Sequence, residues 1–157
     1  MRSVDLSDVE RRLRSAYGKL LQEDRVLLEL DANERSITHK LAEYIQEEFV
    51  GWHVDCEYNR DGHRSKRVRL DHDIPPADTD AQTVYPDVIV HKRGTPNNLL
   101  VIEAKKSTTA SVSMDRAKLR AYKSDLEYRF AFEVIFPVND AAPGADARVD
   151  IIELKDE

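Results

Sequence analysis

The sequence predicts an α/β domain in which a mixed central β-sheet is flanked by helices, with an extra helix at the N-terminal end. Apolar residues recur at helical spacing over residues 5–30 and again over 33–49. Short runs rich in Val, Ile and Leu, at 84–91 and 99–104, have the composition of central strands covered on both faces. Helices and strands combined in this way favour a layered α/β architecture.

Capping residues predict where the two N-terminal helices begin. Ser7 to Glu10 has the pattern of a capping box at the start of the first helix. Asn33 is a suitable N-cap for the second helix, and Gly51 is expected to end it. Residues 1–30 are therefore predicted to be a helical extension that precedes the α/β core.

A half-buried strand and a long loop are expected between the second helix and the apolar strands. Residues 52–58 alternate between apolar and polar side chains, and this alternation places Cys56 at an apolar position, as a small core residue. Residues 59–82 are polar and contain turn-forming pairs, so we interpret them as a loop insertion.

The second half of the chain completes the sheet. The segment from Arg93 to Asn98 has strong turn chemistry and predicts a β-hairpin between the two apolar strands. A helix from about residue 113 and strands at 130–138 and 148–154 follow. The predicted order is α-α-β-β-β-α-β-β.

Composition limits the class of protein. The chain has 157 residues, is 41% hydrophobic and carries a net charge of −6, which suits a single domain over residues 1–157. No apolar run approaches the ~20 residues that span a bilayer, and the first residues lack the apolar core of a signal peptide. We therefore expect no membrane partner and a cytoplasmic location. The negative net charge argues mildly against a nucleic-acid partner, because phosphate binding is driven by Lys and Arg.

Charged residues interrupt the apolar strands at three positions. Asp87 lies within one strand, and Glu103 and Lys105 end the next. If the hairpin turn centres on Thr95, residues whose numbers sum to about 190 lie opposite each other, as Asp87 and Glu103 do. Glu103 and Lys105 are two residues apart and therefore share a face of the sheet. Two opposed carboxylates repel, so their position is explained by a cation between them.

This pattern is suited to the hydrolysis of phosphodiester bonds. Mg²⁺ prefers oxygen ligands and usually takes one or two carboxylates, which Asp87 and Glu103 supply, with the Ala104 carbonyl as a further oxygen. Lys105 would then hold the attacking water and stabilise charge on the phosphate. The alternative is a buried ion pair between Lys105 and either acid, with no catalytic task.

These residues resemble the signature of the PD-(D/E)XK nuclease superfamily. Pro86-Asp87 is followed sixteen residues later by Glu103-Ala104-Lys105, and the preceding helix, the three strands and the following helix and strand match the order of that family. The resemblance covers about residues 31–138. It implies a restriction-endonuclease-like fold, and nuclease activity that depends on Mg²⁺ or Mn²⁺.

The resemblance implies further site residues. Many members have a glutamate on the helix before the first core strand, and Glu34 matches that position as a catalytic and metal-binding residue. The alternative for Glu34 is an ordinary acid in the first turn of a helix. Lys106 is either a phosphate contact or solvated. Lys118 belongs to a charged helix that lies over the active site in this family, where it would contact a phosphate, although a solvated face is the alternative.

A basic segment marks where nucleic acid would lie. Residues 60–69 contain five Arg or Lys residues, and extended basic loops suit backbone phosphates. The expected contacts are Arg64, Lys66, Arg67 and Arg69. The alternative is a solubilising loop.

The predicted function is a metal-dependent nuclease, with DNA the expected substrate by family analogy. A homodimer would supply two sites for double-strand cleavage. Two alternatives remain at this stage. One is a non-catalytic nuclease-fold module that binds another protein, and the other is the nuclease subunit of a defence system that needs a partner subunit. His39 and His91 are expected to be structural.

Overall fold

A five-stranded mixed sheet with helices on both faces forms the centre of the described residues, as the sequence predicts. A computed structural model describes residues 4–57, 67–68, 82–83, 85–109 and 112–155. The helices are α1 (Leu6–Glu23), α2 (Arg25–Glu29), α3 (Glu34–Glu48), α4 (Val112–Asp125) and α5 (Ala147–Asp150), with a 3-10 helix at Asn139–Gly144. The strands are β1 (His53–Cys56), β2 (Arg67–Val68), β3 (Gln82–Thr83), β4 (Val88–His91), β5 (Asn98–Lys106), β6 (Phe130–Phe136) and β7 (Ile151–Glu153).

The main sheet has five strands in the order β1-β4-β5-β6-β7. Only β5 and β6 pair in parallel, through a crossover that contains α4, and the other neighbours are antiparallel. β2 and β3 pair separately as a two-stranded ribbon. The fold class is therefore α/β with a mixed sheet.

The hairpin register is confirmed. Its ladder joins residues whose numbers sum to 190: Val88 with Ile102, Ile89 with Val101, and Val90 with Leu100. The register shifts by one residue only near the turn, between Val90 and His91. The predicted strand at 84–91 begins only at Val88, so Asp87 lies directly before β4 and not within the strand, at the position opposite Glu103.

The sheet separates two apolar clusters. Even-numbered residues of β4 and β5, such as Val90 and Ile102, pack with α1 and α3. Odd-numbered residues, such as Ile89 and Val101, pack against Leu119 and other residues of α4. Asp87, Glu103 and Lys105 continue the odd-numbered series, because successive side chains alternate between faces.

The first predicted helix is two helices, and its cap lies earlier than predicted. The Asp5 side chain accepts the first-turn hydrogen bond from the Asp8 N–H at 2.9 Å, instead of Ser7. α1 ends at Asp24, whose carboxylate accepts a hydrogen bond from the Tyr44 hydroxyl. Arg25 donates to the Ala142 carbonyl at 2.7 Å. These long-range contacts turn the chain where apolar periodicity alone predicts a continuous helix.

Two predictions about strands are wrong. Cys56 is exposed rather than part of the core, because β1 is an edge strand whose inward contact comes from Val54. The predicted strand at 148–154 begins as the short helix α5, since the Asp146 side chain accepts a hydrogen bond from the Arg148 N–H at 2.9 Å. Only β7 remains of that strand.

Most of the predicted loop insertion at 59–82 lies outside the described residues. Within the parts of the chain that the structure describes, no helix combines the length and apolar character that crossing a bilayer requires.

The N-cap of α3 fixes the place where Glu34 enters the structure. The Asn33 side chain accepts a hydrogen bond from the Ser36 N–H at 3.0 Å, as the sequence predicts. We expect Asn33→Ala to lower the free energy of unfolding by about 1 kcal/mol, measured by urea denaturation. Asn33→Asp keeps a capping oxygen and should retain most of the stability. Equal losses in the two variants would contradict this role.

Candidate functional site

The C-terminal end of β5 extends past the N-terminal end of the antiparallel strand β4. The backbone groups of β5 that face this side therefore have no strand neighbour. β4 begins at Val88, opposite Ile102. The Ala104 N–H donates instead to an Asp87 carboxylate oxygen at 2.8 Å. The Lys106 N–H donates to a Glu34 carboxylate oxygen at 3.3 Å. Two acidic side chains thus occupy the place that a longer β4 would fill.

The main chain of Asp87 is also held. The Glu57 N–H donates to the Asp87 carbonyl at 3.2 Å, which continues the pairing of β1 with β4 by one step. Asp87 is therefore held by both neighbouring strands, through its carbonyl on the β1 side and through its carboxylate on the β5 side. Because the N–H and C=O of an extended residue point to the same side, the Ala104 carbonyl faces the Asp87 edge as well.

Glu103 and Lys105 lie on the face of the sheet that α4 covers, and both are almost fully buried, with 4% and 3% of their surface exposed. Among the described residues, neither Glu103 Oε1 nor Lys105 Nζ has a hydrogen-bond partner. Buried polar atoms without partners are costly. Such atoms are typical of a site that is completed by a ligand or by water.

The electrostatics of Glu103 reflect its neighbours. Burial, and next the negative charge of Asp87, raise the pKa of Glu103 well above its ordinary value of 4.5. The Lys118 ammonium on α4 acts in the opposite direction. A cation bound beside Glu103 would favour the ionised form of this acid.

α4 adds polar groups over this face. Burial, and then the Glu103 carboxylate, raise the pKa of Tyr122 above its ordinary range. Asp115 is partly buried, and burial raises its pKa, while Lys118 and Lys105 lower it.

Sequence reasoning missed Glu133, which is 1% exposed in the middle of β6. It is in register with Glu103 on β5. Its carboxylate oxygens lie 3.9 Å from Lys105 Nζ and 3.6 Å from a terminal guanidinium nitrogen of Arg116. A single acid inside the apolar run Phe130–Phe136 is the same signal that identified Asp87, and it could have found Glu133.

The residues fit a divalent ion that takes few protein ligands. In the described part of the chain, no group of three or more His, Cys, Asp or Glu side chains is arranged to hold a metal. The predicted donors Asp87, Glu103, the Ala104 carbonyl and Glu34 would supply fewer than three clustered carboxylates to such an ion, and their role stays a prediction. One or two carboxylates, completed by water, suit Mg²⁺.

Glu34 lies near Asp87 but not on the face of Glu103. Besides its hydrogen bond to Lys106, Glu34 lines a cavity of about 240 Å³ together with Asp87, Thr38 and Cys56. This cavity lies between the start of α3 and the end of β1. The predicted metal-binding role of Glu34 stays a prediction.

The predicted phosphate contacts differ in where they lie. The Lys106 ammonium is 2.9 Å from an Asp31 carboxylate oxygen, and its predicted phosphate contact stays a prediction. Lys118 is partly buried beside Glu103. Arg64, Lys66 and Arg69 lie outside the described residues, and only the backbone of Arg67, in β2, is described.

The two histidines have structural contacts. His39 is exposed and lies 2.8 Å from a Glu43 carboxylate oxygen. His91 is buried, and its Nε2 lies 2.7 Å from an Asp55 oxygen that Arg93 also contacts. The Asp55 cluster is at the opposite end of β4 from Asp87.

Comparisons with protein-family models, with curated proteins and with solved structures found no match.

The raised pKa of Glu103 predicts a pH dependence of stability. Because folding favours the protonated acid, the folded chain binds more protons than the unfolded chain above pH 4.5. Without divalent ions, the free energy of unfolding should therefore decrease as the pH rises through this range. Glu103→Gln should remove that decrease, whereas Glu29→Gln, at an exposed acid of α2, should keep it. Chemical denaturation in EDTA at several pH values measures the effect, and parallel curves for the wild type and Glu103→Gln would contradict it.

Proposed function

We propose that this protein is a Mg²⁺- or Mn²⁺-dependent nuclease that hydrolyses phosphodiester bonds of nucleic acid. The observation that carries the proposal is the arrangement of side chains where β4 begins and β5 ends. Asp87 stands opposite Glu103, Lys105 follows on the same buried face, and polar atoms of both Glu103 and Lys105 lack hydrogen-bond partners among the described residues. Isolated charges are rarely buried at this depth unless they are paired or bind a metal.

Each residue has a role that its position supports. Asp87 and Glu103 would hold the metal, and the Ala104 carbonyl would provide a third protein oxygen. A divalent ion at this point supplies a Lewis acid and lowers the pKa of a bound water. Lys105 orients the attacking water and stabilises the charge that develops on the phosphate. Glu34, at the start of α3 beside the edge of β5, would assist through the metal or the attacking water.

The resemblance to the PD-(D/E)XK superfamily supports the same proposal. The antiparallel hairpin that carries the motif, followed by the α4 crossover to β6, agrees with the restriction-endonuclease-like fold that the resemblance implies. DNA is the proposed substrate by analogy with that family. The basic residues of the 60–69 segment would contact the backbone, and a homodimer would pair two sites for double-strand cleavage.

A second candidate is a nuclease-fold module that binds another protein, either without catalysis or as the nuclease subunit of a partnered system. The observation that favours it is at α2, where Val26 and the C-cap residue Leu30 are 54% and 75% exposed and lie one helical turn apart. Exposed apolar side chains grouped on one helix face are typical of protein contacts.

Cleavage of a panel of substrates tests the proposal. Supercoiled, linear, branched and single-stranded DNA, and RNA, would each be incubated with Mg²⁺ or Mn²⁺. We expect the wild type to cut at least one of them, and Asp87→Asn and Lys105→Ala to lower the rate by about 10²-fold or more, in line with the loss of a positioned catalytic group. EDTA should abolish cleavage. Asp140→Asn, at an exposed acid of the 3-10 helix, should cut like the wild type.

Two other outcomes would change the assignment. Equal cleavage by the wild type and Asp87→Asn would contradict the proposed site. If nothing is cut, thermal unfolding with Mn²⁺ separates the candidates, because an ion that binds only the folded state raises its stability. A shift seen in the wild type and absent in Asp87→Asn would favour a nuclease that needs a partner. No shift in either protein would favour the interaction module.

A further inference from the structure

Lys105 lies between two acids that compete for it. Glu103 precedes it by two residues on the same face of β5, at roughly 6.5–7 Å along the strand. Glu133 stands beside Glu103 on the parallel strand β6. A flexible lysine side chain at this position can turn towards either carboxylate.

The structure shows Lys105 turned towards β6. Its ammonium is 3.9 Å from a Glu133 oxygen, and this is its one ion pair among the described residues. Arg116, from α4, approaches the other Glu133 oxygen to 3.6 Å. The buried Glu133 carboxylate thus has a cation on each side, and these contacts are ion pairs rather than hydrogen bonds.

The orientation of Lys105 matters to the two acids that face each other across the hairpin. An ammonium paired with Glu103 would occupy oxygen atoms that a divalent ion needs, and its positive charge would repel that ion. With Lys105 drawn towards Glu133, the Glu103 Oε1 atom is without a hydrogen-bond partner in the described part of the chain.

We propose that Glu133 is a positioning residue whose buried carboxylate holds the Lys105 ammonium on the β6 side, so that Asp87 and Glu103 are available to a divalent cation. This inference rests on the proposed metal site. It assigns Glu133 no contact with metal or substrate, and its effect on the metal passes through Lys105.

A double-mutant cycle on Mn²⁺ affinity tests this role. Titration calorimetry with Mn²⁺ alone would be performed on the wild type, Glu133→Gln, Lys105→Met and the double variant, each checked for cooperative thermal unfolding. We expect Glu133→Gln to weaken binding by about tenfold or more, because the released lysine forms a charged contact with Glu103. In the Lys105→Met background, the same substitution should change the affinity by less than about twofold.

Glu153→Gln is a matched control. Glu153 belongs to the neighbouring strand β7 and pairs in register with Phe132 of β6. Because Phe132 and Glu133 are adjacent in the strand, Glu153 lies on the face of the sheet opposite to Glu133. It should leave the Mn²⁺ affinity unchanged.

The remaining outcomes are distinct. If Glu133→Gln weakens binding equally in both backgrounds, its charge acts directly on the metal, and the positioning role is wrong while the metal site stands. An unchanged affinity in Glu133→Gln would also overturn the role. If that variant does not fold, Lys105→Met and the double variant are compared, and a loss of affinity in the double variant would overturn the inference.

A wild type that binds no Mn²⁺ would overturn the proposed metal site and this inference together. Binding with the expected cycle but no cleavage of any nucleic acid would contradict only the nuclease.

Discussion

The unequal length of the neighbouring strands β4 and β5 brings two carboxylates to one edge of the sheet. β5 continues to Lys106 beyond the position where the antiparallel strand β4 begins. The N–H groups of β5 that have no strand partner there need other acceptors. They find Asp87 and Glu34, which come from the start of β4 and the start of α3. The same hydrogen bonds that complete the sheet therefore gather carboxylates at one point of its edge.

The face beneath α4 carries charge at a depth where charge is costly. Glu103, Lys105 and Glu133 are all at most 4% exposed, and desolvation of an unpaired ion in such a place costs several kcal/mol. Glu133 has two cations beside it, whereas Glu103 has the like charge of Asp87 as a near neighbour. The negative charge is therefore offset by neighbouring cations at Glu133, on the β6 side, whereas two negative groups face each other on the β4 side. A divalent ion between Asp87 and Glu103 would remove that imbalance.

Local patterns in the sequence were enough to predict the parts of the site that lie close along the chain. The turn at residues 93–98 and the alternation of the flanking strands predicted the hairpin register, and hence the opposition of Asp87 and Glu103. The Asn33 cap was predicted because a capping bond spans only three residues. Such features depend on a few adjacent side chains.

Other features depend on contacts between distant segments. Glu133 adjoins Lys105 only because β6 returns beside β5 after a helical crossover, which no local pattern reveals. The break at Asp24 depends on Tyr44 and on the loop near Ala142, and Cys56 is exposed because β1 is at the edge of the sheet. In each case, tertiary packing decided between options that the local sequence allowed.

We propose that Asp87, Glu103 and the Ala104 carbonyl form a divalent-metal centre. The most direct measurement is an anomalous difference map from crystals of the wild-type protein soaked in MnCl₂. We expect one dominant peak that lies about 2.1 Å from oxygen atoms of Asp87, Glu103 and Ala104, the distance expected for a small octahedral ion. A map with no peak between the two carboxylates, or with Lys105 paired to Glu103 in their place, would contradict it.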